Sequence, residues 1–234
     1  MIRVQNIFAH IGPNQILRDV SLQADSGQIV AVIGANGAGK TSLLRAISGL
    51  LPVDSGNVEF NGQSIIRRPA HLLSRMGLIH IPQGRQIIPG LSVLDNLMIG
   101  ATNAGISGHE SQSLLEQQWE RFPILQKRQH IQGTALSGGE QQMLAVARGL
   151  MMRPKVLMLD EPSLGLAPQV VRLIMETLNQ LAAQGLAVVL VEQVAMLALE
   201  YAHHAIVLRN GECVLQGTGQ ELLQSKDLVN TYLG

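Results

Sequence analysis

The stretch from Gly34 to Thr41 constrains this chain more than any other. It reads Gly-Ala-Asn-Gly-Ala-Gly-Lys-Thr and fits the phosphate-binding loop pattern G-x-x-x-x-G-K-S/T. Its glycines let the backbone bend so that successive N–H groups can face phosphate oxygens. The charge of Lys40 suits the β- and γ-phosphates of a nucleotide, and the Thr41 hydroxyl suits Mg²⁺. We therefore predict a nucleotide site formed by Asn36, Gly37, Ala38, Gly39, Lys40, Thr41 and Ser42.

The residues on both sides of this loop support the prediction. Ile29–Ile33 is a continuous apolar run, as expected of a strand buried on both faces of a parallel sheet. After the loop, Leu43, Ile47 and Leu50 recur at helical spacing, so the loop should end at a helix N-terminus, which favours anions. The alternative is a glycine-rich turn that merely contains a lysine, and this strand–loop–helix context argues against it.

Apolar strands and helix signals alternate along the chain, which predicts an α/β domain with a mostly parallel core sheet. Three strand-like runs within residues 2–32 predict an N-terminal antiparallel β layer. Residues 92–150 are predicted to form a helical subdomain inserted in the core, with Leu115, Trp119 and Phe122 on one buried face. Further strands are predicted at 57–60, 78–81, 156–159, 186–191 and 205–208 and after the Asn210-Gly211 turn; further helices are predicted near 69–75, from Ser137, around 171–181, from about Gln193 and, as two short helices, at the C-terminus.

Composition argues against several classes of function. The chain has 234 residues, enough for one sizeable core, with 17 basic and 17 acidic side chains and 3% aromatic residues. It therefore lacks the positive field and the base-stacking rings expected of a nucleic-acid-binding protein. A single cysteine, Cys213, excludes an intrachain disulfide, and residues 1–6 show no signal segment. No apolar run approaches the roughly 20 residues that span a bilayer, so we expect a cytosolic protein whose membrane role would need a partner.

Three later motifs carry polar groups suited to phosphate chemistry. Leu136–Glu140 reads Leu-Ser-Gly-Gly-Glu at a predicted helix start, where Ser137 and Glu140 can form a capping box. Asp160 and Glu161 follow a buried strand, and Gln83 follows another. Each motif is weak alone, because Ser-Gly-Gly occurs in many loops, adjacent carboxylates can cap a helix, and a glutamine after proline is more often a surface residue.

Taken together and in this order, the phosphate-binding loop and these three motifs make the chain resemble the ATP-binding subunits of ABC transporters. The resemblance covers essentially residues 1–234, as a single domain of the P-loop NTPase class of ABC type. The chain looks most similar to the ATPases of branched-chain amino acid and urea-type importers, and related lipopolysaccharide-export ATPases share several of these features. The segments that carry this finer resemblance are 34–41, 82–85, 160–168 and 232–234.

The resemblance implies a role for each motif, with ATP and Mg²⁺ as cofactors. Asp160 would hold Mg²⁺ together with Thr41 and Gln83, and Glu161 would act as general base or orient the attacking water. Lys40, Gln83 and Gln193 would be the other catalytic residues. Ser137, Gly138 and Gly139 would bind the ATP held by a second cassette in a head-to-tail pair.

Three positions depart from the family pattern. Ile11 stands where an aromatic ring usually stacks on adenine, which predicts modest affinity and weak adenine selectivity. Gln193 replaces the switch histidine and cannot carry a proton, which predicts impaired hydrolysis at this site. Ala167 replaces the usual aspartate of the loop after Glu161, which predicts weaker signalling across the cassette interface. These losses suggest pairing with a second, non-identical ATPase, with a homodimer as the alternative.

The function implied is ATP binding and hydrolysis that power a membrane transporter. The leading expectation is an importer of branched-chain amino acids or similar small polar solutes, working with membrane permease subunits and, indirectly, with a periplasmic or extracellular solute-binding protein. The chain would then sit peripherally on the cytoplasmic face of the cell membrane. The alternatives are a subunit of an exporter such as a lipopolysaccharide-type system, a soluble ABC protein that acts outside transport, and a nucleotide-binding regulator without turnover.

Overall fold

The computed structural model describes residues 1–225. In chain order its elements are β1 (Ile2–Ile11), β2 (Asn14–Ala24), β3 (Ile29–Ile33), α1 (Lys40–Ile47), β4 (Ser55–Phe60), β5 (Gln63–Ser64), α2 (Ala70–Arg75), β6 (Leu78–Ile81), α3 (Val93–Asn103), α4 (Gly108–Arg121), α5 (Pro123–Lys127), α6 (Gly138–Leu150), β7 (Val156–Asp160), α7 (Pro168–Ala183), β8 (Ala187–Glu192), α8 (Ala195–Tyr201), β9 (His204–Arg209), β10 (Glu212–Gly217) and α9 (Gly219–Gln224).

The N-terminal strands form a four-stranded antiparallel sheet in the order β2-β1-β4-β5. Strand β1 pairs with β2 on one side and with β4 on the other, and the inward-facing Ile2, Val4 and Ile7 are buried. Of the three strand-like runs within residues 2–32, β1 and β2 lie in this sheet, whereas β3 lies in the second sheet. The prediction of an antiparallel N-terminal layer is therefore confirmed for the first two runs. Its apolar face packs on one side of the second sheet, in a shared core with Leu43, Leu44 and Ile47 of α1.

The second sheet has six strands in the order β10-β9-β3-β8-β7-β6, all parallel except β10 at one edge. Every residue of β3, β7 and β8 is buried, as expected when both faces of a parallel sheet are covered. Since β3, β8, β7 and β6 are neighbours, the loops that follow their carboxyl ends emerge along one edge. In α/β sheets such an edge is where ligands bind.

Helices α3 to α6 lie between β6 and β7 in the chain. Capping boxes open α3 at Ser92 and α6 at Ser137, and the latter was predicted from the sequence. Leu115 and Trp119 of α4 and the following Phe122 are buried together, as their spacing predicted. The assignment of residues 92–150 to a separate inserted subdomain stays a prediction.

Two local predictions were wrong. Leu50 was placed on the buried face of the helix after the phosphate loop, but α1 ends at Ile47 and Leu50 is 53% exposed. The cause is Gly49, whose positive φ of 71° turns the chain out of the helix. Helix α8 begins at Ala195 rather than at about Gln193, so Gln193 lies in the short connection between β8 and α8. The second predicted C-terminal helix and the segment 232–234 lie outside the described residues.

None of the helices described within residues 1–225 is both long enough and apolar enough to cross a membrane.

Two Asn-Gly turns offer a matched test of how the β9–β10 turn supports the phosphate loop. Gly211 donates its N–H to the Ala38 carbonyl at 2.9 Å, and a Cβ there would lie 2.2 Å from the Ile16 carbonyl oxygen. Gly62 has a similar positive φ but open space around it. We expect Gly62→Ala to lower the free energy of unfolding by about 1–2 kcal/mol, for the left-handed backbone alone.

For Gly211→Ala we expect a loss of about 2–5 kcal/mol, because the backbone must also move to relieve the collision. Urea denaturation of both variants measures the difference. If both variants lose the same free energy of unfolding, the β9–β10 turn accommodates the added Cβ without a further loss of stability.

Candidate nucleotide-binding site

The phosphate-binding loop runs from β3 into α1 across residues 34–39. Gly37 and Gly39 have φ values of +81° and +105°, which only glycine adopts readily. A Cβ at Gly34 would lie 2.4 Å from the Leu208 carbonyl oxygen, so neighbouring β9 leaves no room for a side chain. Within the described part of the chain, no side chain caps the start of α1. The first N–H groups of this helix are thus available to an anion.

Lys40 folds back over the loop. Its Nζ donates to the carbonyl oxygens of Gly34 at 2.8 Å and Ala35 at 3.1 Å, and forms an ion pair with Glu161 Oε1 at 3.2 Å. The two charged side chains are only 4% and 8% exposed. A buried ion pair is weakly screened by water and salt, so it holds both groups in place. The pair joins the phosphate loop to the end of β7.

Glu161 adopts an uncommon backbone conformation, with a φ of +48°. Its N–H donates to the Val191 carbonyl at 2.9 Å, and Gln83 Nε2 donates to its Oε2 at 3.0 Å. The carboxylate is therefore held between Lys40 and Gln83. Strained backbone of this kind concentrates at functional sites, where the surroundings keep it in place.

Asp160 presents an oxygen with no protein partner. Thr41 Oγ1 donates to its Oδ1 at 3.2 Å, but among residues 1–225 no donor reaches the buried Oδ2. Burial raises the pKa of this carboxyl, with a smaller contribution from the charge of Glu161; the Thr41 hydrogen bond and the charge of Lys40 oppose the shift. A carboxylate beside a hydroxyl is a ligand set that suits Mg²⁺. The residues present therefore fit the predicted metal.

A cleft of about 470 Å³ opens over these groups. Most of the predicted site residues line it, together with Ile16 and Leu164, which the sequence did not indicate. Ala38 and Asp160 do not line it and are buried, with exposures of 5% and 3%. Ser137, Gly138, Gly139 and Ala167 do not line it. The predicted residues that do are Ile11, Asn36, Gly37, Gly39, Lys40, Thr41, Ser42, Gln83, Glu161 and Gln193.

The Ser137–Gly139 segment forms a separate surface at the start of α6. Ser137 Oγ accepts from the Glu140 N–H at 3.4 Å, and Glu140 Oε2 accepts from the Ser137 N–H at 2.9 Å. A Cβ at Gly138 would lie 3.0–3.2 Å from the Arg85 guanidinium, and one at Gly139 would lie 2.9 Å from Val170. Close neighbours therefore explain both glycines, and Arg85 is a neighbour that the sequence did not reveal.

Arg148 holds the segment after Gln83 against α6. Its guanidinium donates to the carbonyl oxygens of Arg85 at 3.4 Å and Gln86 at 2.8 Å and to Asn96 Oδ1 at 3.3 Å. Arg85 and Gln86 both have positive φ, so this clamp fixes an unusual backbone. Burial lowers the pKa of Arg148. The one sequence signal was a charged residue within an otherwise apolar helical pattern.

Glu192 is a second buried carboxylate beside the site and is 1% exposed. Its Oε1 accepts from the Ser163 N–H at 3.0 Å and its Oε2 from the Ser163 hydroxyl at 2.7 Å. Burial raises the pKa of Glu192; the Ser163 hydrogen bonds oppose the shift and the charge of Glu161 adds to it. Its sequence signal is a glutamate at the end of an apolar strand.

An α/β core with a phosphate-binding loop, a partnered lysine and two carboxylates at the strand ends defines the class of P-loop nucleotide-binding domains. Within that class, residues 17–164 match the family model described as "ABC transporter", which is more than half of the chain. The chain therefore belongs to the ABC transporter family, as an ATPase cassette. The resemblance and the fold class inferred from the sequence are confirmed.

Full-length relatives agree with this assignment. The chain is 39% identical over 234 residues to the high-affinity branched-chain amino acid transport ATP-binding protein BraG of Pseudomonas aeruginosa, with all of both chains covered. It is 34% identical over 234 residues to the lipopolysaccharide export system ATP-binding protein LptB of Escherichia coli K12, covering all of this chain and 97% of LptB. A crystal structure of a nucleotide-free ATP-binding cassette from an ABC transporter has a TM-score of 0.89 and 28% identity, covering 100% of this chain and 99% of the other.

The unpartnered oxygen of Asp160 predicts a change in stability. We expect Asp160→Asn to raise the melting temperature of the nucleotide-free protein at neutral pH by about 2–4 °C, because it removes a buried charge. The pKa of Asp160 is raised in the fold, so its ionised form costs stability at high pH. The gain should therefore shrink as the pH falls through the raised pKa of the folded carboxyl, where the wild-type aspartate takes up a proton, and should be gone below the ordinary pKa of a carboxyl group.

Thermal scans across pH measure this effect. The control is Asp25→Asn, because hydrogen bonds from the N-terminal amine and from Gln23 lower the pKa of Asp25, so its charge favours the fold. This variant should gain nothing. A melting temperature of Asp160→Asn at or below that of the wild type would contradict the prediction.

Proposed function

We propose that the chain binds MgATP in the cleft beside Lys40 and hydrolyses it to drive an importer of branched-chain amino acids or similar small polar solutes. The observation that carries the catalytic part is the position of Glu161. Its carboxylate lies between Lys40 and Gln83, and the residue lines the cleft. A base there can act on a water beside a phosphate bound by Lys40.

The phosphate-binding role is assigned to residues 36–42. The N–H groups of the loop and of the first turn of α1 would surround the phosphate oxygens. Lys40 would exchange its contacts with the Gly34 and Ala35 carbonyls for the β- and γ-phosphates. A phosphate at this position also competes with Glu161 for the lysine. Nucleotide binding would thus leave the Glu161 carboxylate with Gln83 as its remaining hydrogen-bond partner and free to accept a proton.

Thr41, Asp160 and Gln83 would hold Mg²⁺. Asp160 Oδ2 is the oxygen that no described protein donor satisfies, and Thr41 is its neighbour through Oδ1. The metal would offset charge on the β- and γ-phosphates. Gln83 has both a donor and an acceptor atom, so it can keep its contact with Glu161 while its oxygen faces the metal or a water.

The Ser137–Gly139 segment lies outside the cleft, so a phosphate role for it requires nucleotide from another cassette. We propose a head-to-tail pair in which each of these segments closes on the ATP of the other cassette. Three exposed apolar side chains support this arrangement: Leu164, which lines the cleft and is 52% exposed, and Val194 and Met196, which follow Gln193 in the chain and are 55% and 63% exposed. Exposed apolar side chains around a site favour burial by a partner.

We further propose that the other cassette is a different ATPase. Ile11 lines the cleft without offering an aromatic ring, and Gln193 lines it where a histidine would be usual. A partner that keeps the aromatic ring, the histidine and the aspartate equivalent to Ala167 would compensate for these losses. A homodimer is the alternative.

The full-length similarity to BraG supports an importer, with membrane permease subunits as direct partners and a solute-binding protein as an indirect one. The chain would then be a peripheral protein on the cytoplasmic face of the membrane. Similarity to LptB over the same length keeps an exporter as the second candidate. Identification of the membrane protein that co-purifies with the chain separates the two. A soluble ABC protein acting outside transport is disfavoured by the neutral charge of these 234 residues.

The proposed catalytic role of Glu161 predicts ATP-dependent association. We expect purified Glu161→Gln to bind ATP and hydrolyse it at least about 10²-fold more slowly than the wild type. Light scattering with and without ATP then measures the mass of the trapped form. A mass that doubles only with ATP indicates self-pairing, and an ATP-bound monomer indicates an obligatory different partner.

Two controls sharpen this experiment. Glu176→Gln changes an exposed glutamate on α7 and should leave turnover unchanged. Lys40→Ala in the Glu161→Gln background should remove ATP binding. Full turnover by Glu161→Gln in the assembled complex would refute the catalytic assignment.

Gln193 generates a separate prediction. A histidine at this position can carry a proton and a positive charge towards the γ-phosphate, whereas glutamine can only form neutral hydrogen bonds. We expect Gln193→His to raise ATP turnover by about 10-fold or more, with little change in ATP affinity. Steady-state ATPase assays measure this, with Gln193→Asn as a control that should give no gain. Unchanged turnover of Gln193→His would show that the missing histidine does not limit this site.

A further inference from the structure

The turn that carries Glu161 is held from strand β8 at two points. On one side of Pro162, the Glu161 N–H donates to the Val191 carbonyl at 2.9 Å. On the other side, Ser163 donates its N–H and its hydroxyl to the two oxygens of Glu192, at 3.0 and 2.7 Å. These bonds hold the chain on both sides of the Glu161 Cα, and the φ of +48° at Glu161 is unfavourable for a residue with a Cβ. Such a conformation persists only where its surroundings determine it.

The carboxylate of Glu192 is costly to bury, which argues that its contacts matter. The other side chains of β8, from Ala187 to Val191, are all apolar, and an apolar residue would fit the sequence of this buried strand. A buried ionised group disfavours the fold unless its hydrogen bonds compensate. Glu192 receives those bonds from Ser163 and from the Gln193 backbone, while the charge of nearby Glu161 opposes its ionisation.

Glu192 also stands next to Gln193, which lines the cleft. A single dipeptide at the end of β8 therefore contacts the nucleotide cleft through one residue and the Glu161 turn through the other. Displacement of Gln193 by a phosphate would move the backbone that carries Glu192, and Ser163 would transmit that movement to the turn.

We propose that Glu192 and Ser163 are positioning residues that hold the Glu161 carboxylate between Lys40 and Gln83. They touch neither phosphate nor water and act through Glu161. The inference rests on the proposed function, in which Glu161 acts on the attacking water, and it adds a link between that residue and Gln193.

Two substitutions break this link in graded fashion. Ser163→Ala removes the hydroxyl donor and keeps the N–H donor. Glu192→Val removes both acceptor oxygens and puts an apolar residue at the end of the apolar strand β8. We expect Glu192→Val to lower kcat by about 10²-fold, because small misplacements of a catalytic group have effects of that size. Ser163→Ala should lower it by about 10-fold. The Kd for ATP should stay within about 2-fold of the wild type, because the phosphate loop is intact.

Thr177→Val is the matched control. Thr177 is 6% exposed and donates its hydroxyl to the Leu173 carbonyl at 2.7 Å within α7. The substitution therefore also removes a buried hydrogen bond. Thr177 does not line the cleft. Its kcat should equal that of the wild type, with all variants assayed together with their partner subunits.

A second readout separates positioning from a general structural effect. In the Glu161→Gln background, where no base remains to be positioned, adding Ser163→Ala should cause no further loss of the residual turnover. A further 10-fold loss there would mean that Ser163 acts independently of Glu161 and would overturn the proposal.

A crystal structure of Glu192→Val alone decides the geometry without requiring turnover. We expect Glu161 to leave its positive φ and to lose its contacts with Lys40 and Gln83. If Glu161 stays in place, or if kcat is unchanged in an active complex, the inference fails while the proposed function stands. If the wild-type complex neither binds nor hydrolyses ATP, the proposed function fails, and the variant's structure still decides whether Glu192 positions Glu161.

Discussion

The buried ion pair between Lys40 and Glu161 is the interaction on which the site depends. It joins the phosphate loop to the end of β7 at 3.2 Å, with both side chains almost fully withdrawn from solvent. Buried charges are stable only when they are paired and hydrogen-bonded. Gln83 and the Gly34 and Ala35 carbonyls supply the other partners of the two charged groups. The same contacts that satisfy these charges therefore bring the proposed base to the proposed phosphate site.

The order of the parallel strands makes this pairing possible. Neighbouring β3, β8, β7 and β6 end in the phosphate loop, Glu192, Asp160 and the segment before Gln83. The groups that converge on the cleft are thus held by buried strands, which limits their freedom to move. The loop after Gln83 lacks such a strand, and Arg148 holds its backbone to α6 instead. Movements of α6 and of this loop should accordingly be coupled.

Much of the fold and part of the site could be predicted from the sequence, for reasons visible in particular residues. The apolar run 29–33 and the pattern 34–41 are contiguous, and local periodicity predicts what contiguous residues do. The capping box at Ser137 was predictable because its partners lie three residues apart. Leu50 was wrongly predicted to be buried, because the helical spacing of apolar residues continues in the sequence beyond Gly49, whereas the chain leaves the helix there. The role of Arg148 could not be predicted, because two of its three acceptors are backbone carbonyls, which carry no sequence signature, and the third, Asn96, lies 52 residues away.

The sequence by itself determined the class of protein, the kind of ligand and the succession of strands and helices, because these depend on motifs and periodicities within short segments. Only the tertiary structure decided that Glu161 pairs with Lys40, that Glu192 bonds to Ser163 and that Ser137–Gly139 lies outside the cleft. It also decided that one oxygen of Asp160 has no donor among residues 1–225. These contacts join residues far apart in the chain. The pairing order of the strands and the burial of their ends bring these residues together, and neither can be inferred from a single short segment.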